Sequence, residues 1–296
     1  MNRPGQLVRS VRSTLEMIKF SHTLFALPFA LLAAVLAARG IPSAATIAKI
    51  LLAMVGARSA AMAHNRLVDR EIDAANPRTA SRALPTGALS PLFVRIFLAV
   101  STLVFLLAAA WLNRLTLFLS PVALGLLFLY SYTKRFTWAS HFVLGLCLAI
   151  APVGAWIAVR GSFALEPVLL GLAVLLWTAG FDVIYSLQDE DHDRREGLRS
   201  IPARWGSARA LGVSALLHFL MLPLLAAVWR LSGGGGLFGV GIALTAGALV
   251  YQHAIVRPGD LSRVDSAFFT ANGFVSVALA AFGIADVVIR GGGGPI

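Results

Sequence analysis

Long apolar runs of near-uniform length, separated by short polar stretches, dominate the chain. Nine of them lie at approximately 20–38, 46–66, 92–112, 115–132, 139–159, 165–187, 208–229, 236–256 and 267–289. About 20 apolar residues are what a helix needs to cross the hydrocarbon core of a bilayer. Backbone amides in lipid must be paired internally, which leaves helices or a closed barrel, and these runs lack the two-residue alternation of barrel strands. The pattern predicts an all-α, polytopic membrane protein with about nine transmembrane helices, forming one integral-membrane domain over residues 1–296. The first run holds Pro28 and lacks a clear cleavage site, so it reads as a retained helix.

Charge then orients the bundle. With the N-terminus in the cytoplasm, 17 of the 25 lysines and arginines fall on that side: Arg3, Arg9, Arg12 and Lys19, then those of loops 66–82, 134–135, 194–209 and 257–263. Arg39, Lys49, Arg114, Arg160, Arg230 and Arg290 fall opposite, while Arg58 and Arg95 lie within or beside spans. This positive-inside bias predicts a multi-pass protein of the inner (cytoplasmic) membrane. Composition agrees, since 58% hydrophobic and 13% charged residues exclude an ordinary soluble domain. Basic loops facing an anionic leaflet account for the net charge of +11 without nucleic acid. Cys147, the single cysteine, lies in an apolar run and leaves no disulfide framework. The glycine runs at 233–236 and 291–294 read as linkers at non-cytoplasmic ends.

Two acid clusters follow apolar runs on the cytoplasmic side. Continued as a helix, residues 60–73 set Asn65, Asp69 and Asp73 at i, i+4 and i+8, a fan of about 80° on one face. About 110 residues later by sequence, Asp182, Asp189 and Asp193 stand at i, i+7 and i+11, all within about 20° of one direction, with Asp191 opposite and Glu190 at the edge. Apolar run, acid cluster and Arg-containing loop thus occur twice, as a pseudo-repeat. Carboxylates at a helix C-terminus oppose the macrodipole and one another, a conflict that a bound divalent cation relieves. Oxygen donors of this kind suit Mg²⁺, which takes one or two carboxylates together with phosphate oxygens and water. Acids interleaved with arginines also make ordinary solvated surface. Two such clusters, with Asp182 at the membrane boundary where a charge is costly, favour function.

The cytoplasmic cations nearest the clusters are Arg78, Arg82, Lys134, Arg135 and Arg199, and guanidinium forks suit phosphate or carboxylate oxygens. Tyr130 and Tyr185 are candidate wall residues, the latter for a cationic intermediate, with interfacial packing as the alternative. His64 reads as structural, and Phe25, Phe29, Trp156 and Trp177, on apolar spans, read as lipid-facing or packing residues, some of which would line a tunnel if a lipid substrate enters.

The segment Asn65-Arg66-x-x-Asp69-x-x-x-Asp73, with Asn76-Pro77-Arg78-Thr79 after it, resembles the first Asp-rich motif of the UbiA superfamily of intramembrane aromatic prenyltransferases. Asp182 to Asp193, leading into Gly197-Leu198-Arg199-Ser200-Ile201-Pro202, resembles the second, and Tyr130-Ser131-Tyr132-Thr133-Lys134-Arg135 resembles the element between them. Arg66 departs from the pattern, because that place usually holds an Asp. The likeness is greatest to members acting as 4-hydroxybenzoate polyprenyltransferases or their relatives in menaquinone synthesis. It implies Mg²⁺-dependent transfer of a polyprenyl group from polyprenyl diphosphate to an aromatic acid acceptor in ubiquinone or menaquinone biosynthesis. Naphthoate, haem or a chlorophyll precursor are alternative acceptors. The metal set implied is Asn65, Asp69, Asp73, Asp182, Asp189 and Asp193, with Asp69, Asp189, Lys134 and Arg78 catalytic. Asn65, Arg78, Arg82, Tyr130, Lys134, Arg135, Tyr185 and Arg199 would bind substrate. A transporter is the rival from another class, but its acids belong at mid-membrane in broken helices, whereas these lie at span ends.

Overall fold

In the structure, a computed structural model, Thr14, Met17 and residues 23–291 are described. Arg3, Arg9, Arg12, Lys19, the first residues of the opening apolar run and the glycines at 292–294 lie outside them. Eleven α-helices follow one another among the described residues: α1 Thr23–Ala38, α2 Ala44–Val68, α3 Arg70–Ala75, α4 Pro91–Leu112, α5 Arg114–Thr133, α6 Ser140–Arg160, α7 Leu165–Ser186, α8 Glu190–Arg195, α9 Ile201–Leu231, α10 Gly236–Ile255 and α11 Asn272–Arg290. Eight helical segments are long and apolar enough to cross a membrane, and the opening run supplies a shorter apolar helix, Phe25–Ala38. The nine predicted runs are thereby accounted for.

Local chemistry sets the helix ends. Ser43, Ser90, Asn113 and Ser200 each accept a hydrogen bond from the backbone N–H three residues on, satisfying donors that the first turn leaves open. Gly161 closes α6 in the left-handed conformation at φ 66°. Gly206, at φ 78° and ψ 165°, breaks α9 near its start, close to where the apolar run begins at about residue 208.

α7 runs through the middle of the bundle, packed against α6 on one side and α9 on the other; α1 packs between α6 and α11, and α2 packs along α4. Trp177 and Phe181 of α7 meet Phe25 and Phe29 of α1 in one aromatic core, with the Trp177 and Phe181 rings 4.9 Å apart. Phe25, Phe29, Trp156 and Trp177 are all buried, so of the two readings, lipid-facing or packing, they take the second. Small residues let the helices approach closely: a Cβ on Gly56 would lie 2.7 Å from the backbone nitrogen of Phe105, and one on Gly145 would strike the Leu175 carbonyl. Backbone cannot yield as a side chain can. Gly145→Val is accordingly expected to destabilise the α6–α7 crossing by at least about 1–3 kcal/mol, read as a lower midpoint of thermal unfolding in detergent; an unchanged midpoint would refute the close crossing.

Both acid clusters sit where a long helix breaks and a six-residue helix begins. α2 ends at Val68 and Asp69 becomes the N-cap of α3, with Glu71 and Asp73 in its first turn. α7 passes into a 3-10 turn at Leu187–Asp189, and Asp189 becomes the N-cap of α8, with Asp193 in its first turn. This corrects the expectation of a continuous helix through residues 60–73. The break has a physical reason, since it moves the carboxylates from an unfavourable C-terminus to the N-terminus of a new helix, where the dipole favours them.

Candidate active site

The breaks fold the two clusters around one polar cavity of about 230 Å³ at the end of the bundle. Asn65, Asp69, Asp73, Asp182, Asp189 and Asp193 all line it, joined by Arg78, Arg82, Tyr130, Lys134, Arg135 and Tyr185. Of the residues singled out in the sequence, Arg199 is not brought to this lining. Its guanidinium donates to the Phe136 carbonyl at 2.7 Å, while its backbone N–H donates to the Lys134 carbonyl at 2.8 Å. Glu190 is engaged by Arg194 at 2.7 Å, and Asp191 and Glu71 are exposed.

Each acid has a distinct neighbourhood. Asn65 donates to Asp69 Oδ2 at 2.7 Å across one helical turn. Arg135 spans the Val68 carbonyl at 2.8 Å and Asp69 Oδ1 at 3.5 Å. Burial and the neighbouring Asp73 push the Asp69 carboxyl above its ordinary pKa, against the pull of Arg135. Arg82 donates to Asp73 Oδ1 at 2.6 Å, and Arg66 lies 3.7 Å from Asp73 Oδ2. Arg66 is buried and also donates to the Asn65 side chain at 3.3 Å, so the residue that departs from the family motif turns into the cluster as a cation.

Across the cavity, Arg78 grips Asp189 with two bonds, Nε to Oδ1 at 2.9 Å and Nη2 to Oδ2 at 2.6 Å, while Asn76 donates to Oδ1 at 3.3 Å. Burial opposes the Arg78 charge, but its bonds to Asp189 outweigh that and raise its pKa. Arg78 also rests 5.5 Å from the Tyr185 ring centroid, and Tyr185 packs on Phe268 at 4.2 Å. Lys134 lies 4.0 Å from Asp193. Burial alone would lower its pKa, yet Asp193, Asp182 and Asp189 together raise it, so the ammonium stays charged.

Among the described residues, no three His, Cys, Asp or Glu side chains converge tightly enough to hold a cation alone. The acids are spread around the rim instead. Two of their oxygens, Asp73 Oδ2 and Asp193 Oδ2, are buried without a hydrogen bond. Each has only a long ion pair, Asp73 Oδ2 to Arg66 at 3.7 Å and Asp193 Oδ2 to Lys134 at 4.0 Å. A buried polar atom without a hydrogen bond costs on the order of 1–3 kcal/mol or more, and since both residues line the cavity, a cation whose remaining ligands arrive with a substrate would relieve that cost.

Several residues at the site escaped the sequence reading. His141 of α6, fully buried, bonds Asp182 Oδ2 at 2.7 Å through Nδ1. His192, between two flagged acids, lines the cavity with Nε2 buried and unbonded. Its position inside the second cluster was the available signal. Ser131 and Asn76 also line the cavity; both stand inside the motif stretches of the sequence, without a role read for them there.

A second cavity, apolar and of about 210 Å³, runs between α2, α4, α5 and α6 from Asn65 and Tyr130 to Leu112, Thr116 and Ile157 at the far end of the bundle. Arg58, Met62, Asn65, Tyr130 and Leu144 line both cavities, so the two meet there. Arg58 is the one cation at that junction among the described residues, and its Nε is buried without a hydrogen-bond partner. Its place on a predicted span was the signal, because an arginine inside a membrane helix is costly without a use.

Several known proteins resemble this chain. It is 31% identical over 279 residues to a 4-hydroxybenzoate octaprenyltransferase of Aliivibrio salmonicida, covering 93% of this chain and 95% of that protein. It is 32% identical over 244 residues to the enzyme of the same name from Yersinia pseudotuberculosis, covering 82% and 84%. The apo structure of a UbiA homologue from Aeropyrum pernix K1 superposes with a TM-score of 0.82 at 36% identity, covering 90% of this chain and 98% of that one. A UbiA homologue from Archaeoglobus fulgidus bound to DMAPP and Mg²⁺ shares the fold with a TM-score of 0.70 at 20% identity, covering 93% and 99%. Residues 26–275 match the UbiA prenyltransferase family throughout, and the chain belongs to that family.

Proposed function

We propose that this chain transfers a polyprenyl group from polyprenyl diphosphate to the ring of a 4-hydroxybenzoate-like acceptor, using Mg²⁺, at the cytoplasmic face of the inner membrane. The observation that carries the reading is the junction itself: a charged cavity rimmed by two acid clusters meets an apolar one that runs along the spanning helices. An amphiphile with a charged head and an isoprenoid tail matches that division of polarity. The names of the relatives, and the positive-inside charge distribution, support the acceptor and the orientation.

Asn65, Asp69, Asp73, Asp182, Asp189 and Asp193 would hold Mg²⁺ against the diphosphate, and bound Mg²⁺ would supply the charge neutralisation that lets the allylic C–O bond ionise. Arg78 and Lys134 are placed to take up the negative charge that grows on the leaving diphosphate. The apolar wall from Met62 to Leu144 keeps water from the allylic carbon, which favours attack by the aromatic ring over hydrolysis. Tyr130 presents a ring at the junction to the cationic carbon.

Arg58 answers to the acceptor. An aromatic acid carries its own carboxylate, and a guanidinium with an unbonded Nε at the junction offers it a partner. Arg82 and Arg135 are drawn instead to Asp73 and Asp69.

The test is a prenyl-transfer assay in membranes with radiolabelled polyprenyl diphosphate, 4-hydroxybenzoate and Mg²⁺. Chelation by EDTA should abolish product and added Mg²⁺ should restore it. Product that forms only with a naphthoate or haem acceptor would overturn the acceptor assignment, and product that survives EDTA would overturn the metal assignment.

A further inference from the structure

His141 lies outside every motif of the sequence, yet it bridges the acid rim and the backbone of another helix. Its Nδ1 is 2.7 Å from Asp182 Oδ2, and its Nε2 accepts the backbone N–H of Ile201 at 3.3 Å. That N–H can only donate, so the ring proton must sit on Nδ1, where it is aimed at the Asp182 carboxylate. The imidazole is fully buried, and Ile201 is the first residue of α9, capped by Ser200. α6, α7 and α9 therefore converge on one ring.

We infer that His141 is a positioning residue for Asp182. With Oδ2 held by the ring, Asp182 lines the polar cavity in a fixed orientation, turned to the same space as Asp69, Lys134 and Asp189. An oxygen donor set without a preformed cage depends on such orientation, because each carboxylate must meet the cation separately. The inference rests on the prenyltransferase reading for the cation that Asp182 would meet.

The test combines binding and coupling. In detergent-solubilised protein, the rise in thermal midpoint caused by Mg²⁺ with inorganic pyrophosphate is measured for wild type, His141→Leu, His141→Gln, Asp182→Asn and the His141→Leu/Asp182→Asn double variant. His141→Leu is expected to weaken Mg²⁺ at least about tenfold in this assay, as loss of such an outer partner typically does, and to raise the Mg²⁺ concentration needed for prenyl transfer in step. His141→Gln should keep Mg²⁺ binding within about threefold of wild type, because one amide carries both a donor and an acceptor, as the neutral ring does.

In the Asp182→Asn background the leucine change should add nothing further. Additive losses in the double variant would overturn the inference and leave His141 as a tie to α9 alone. If His141→Leu does not fold, His141→Gln decides: a folded His141→Gln protein that has lost its Mg²⁺ response overturns the inference. Absence of a Mg²⁺ shift in wild type would instead reject the metal reading on which it stands.

Discussion

Asp189→Asn is expected to lower prenyl transfer by about 10²- to 10³-fold, the cost of removing one electrostatic contact to charge that develops in the transition state. The carboxylate is the point where the two halves of the site meet. Arg78 and Asn76 reach it from the segment after α3, while its own backbone caps α8. An amide there cannot hold a cation as a carboxylate does, and it leaves Arg78 without its bidentate partner. The loss should appear mainly as a higher Mg²⁺ requirement and a lower kcat, measured by titrating Mg²⁺ in membranes at saturating polyprenyl diphosphate. Asp69→Asn should behave alike from the other cluster. A variant at either position that keeps the wild-type rate at limiting Mg²⁺ would show that the two clusters do not act as one site.

Arg58→Met is the second large effect expected, and it should fall on the acceptor alone. Removing one member of a desolvated charge pair costs on the order of 2–5 kcal/mol, so KM for 4-hydroxybenzoate should rise by at least about 30-fold. Methionine fills much of the same volume, which keeps the apolar wall intact. A phenol lacking the carboxylate supplies the control, because its KM should be nearly the same for the wild type and for the Arg58→Met variant. If Arg58→Met weakens both acceptors equally, Arg58 shapes the cavity and the carboxylate partner lies elsewhere.

These two residues also show how differently the sequence disclosed the site. Asp189 announces itself through repetition, since a second acid cluster after a second apolar run has few structural explanations. Arg58 is visible as a cation within a span, but its meaning depends on which way α2 faces, and only the packing of α2 against α4 and α5 turns it to the junction. His141 gave no signal, because a lone histidine in an apolar helix takes its role from Asp182 and Ile201, 41 and 60 residues away in sequence. Arg199 shows the reverse, being well placed in sequence yet turned to the Phe136 carbonyl.

The chain by itself determined the helical bundle, because apolar runs of bilayer length permit little else and their hydrogen bonds are local. It also determined which acids belong together, through spacing and repetition. The breaks at Asp69 and at Leu187–Asp189 were decided by tertiary structure. Helical spacing alone carries the chain straight through them, whereas folding the two clusters around one cavity sets Asp69 and Asp73, and Asp189 and Asp193, at the start of a new helix, with Asp182 still inside α7. The departure at Arg66 was likewise plain in the sequence, but that its charge turns inward, beside Asn65 and Asp73, follows from contacts that no spacing along the chain encodes.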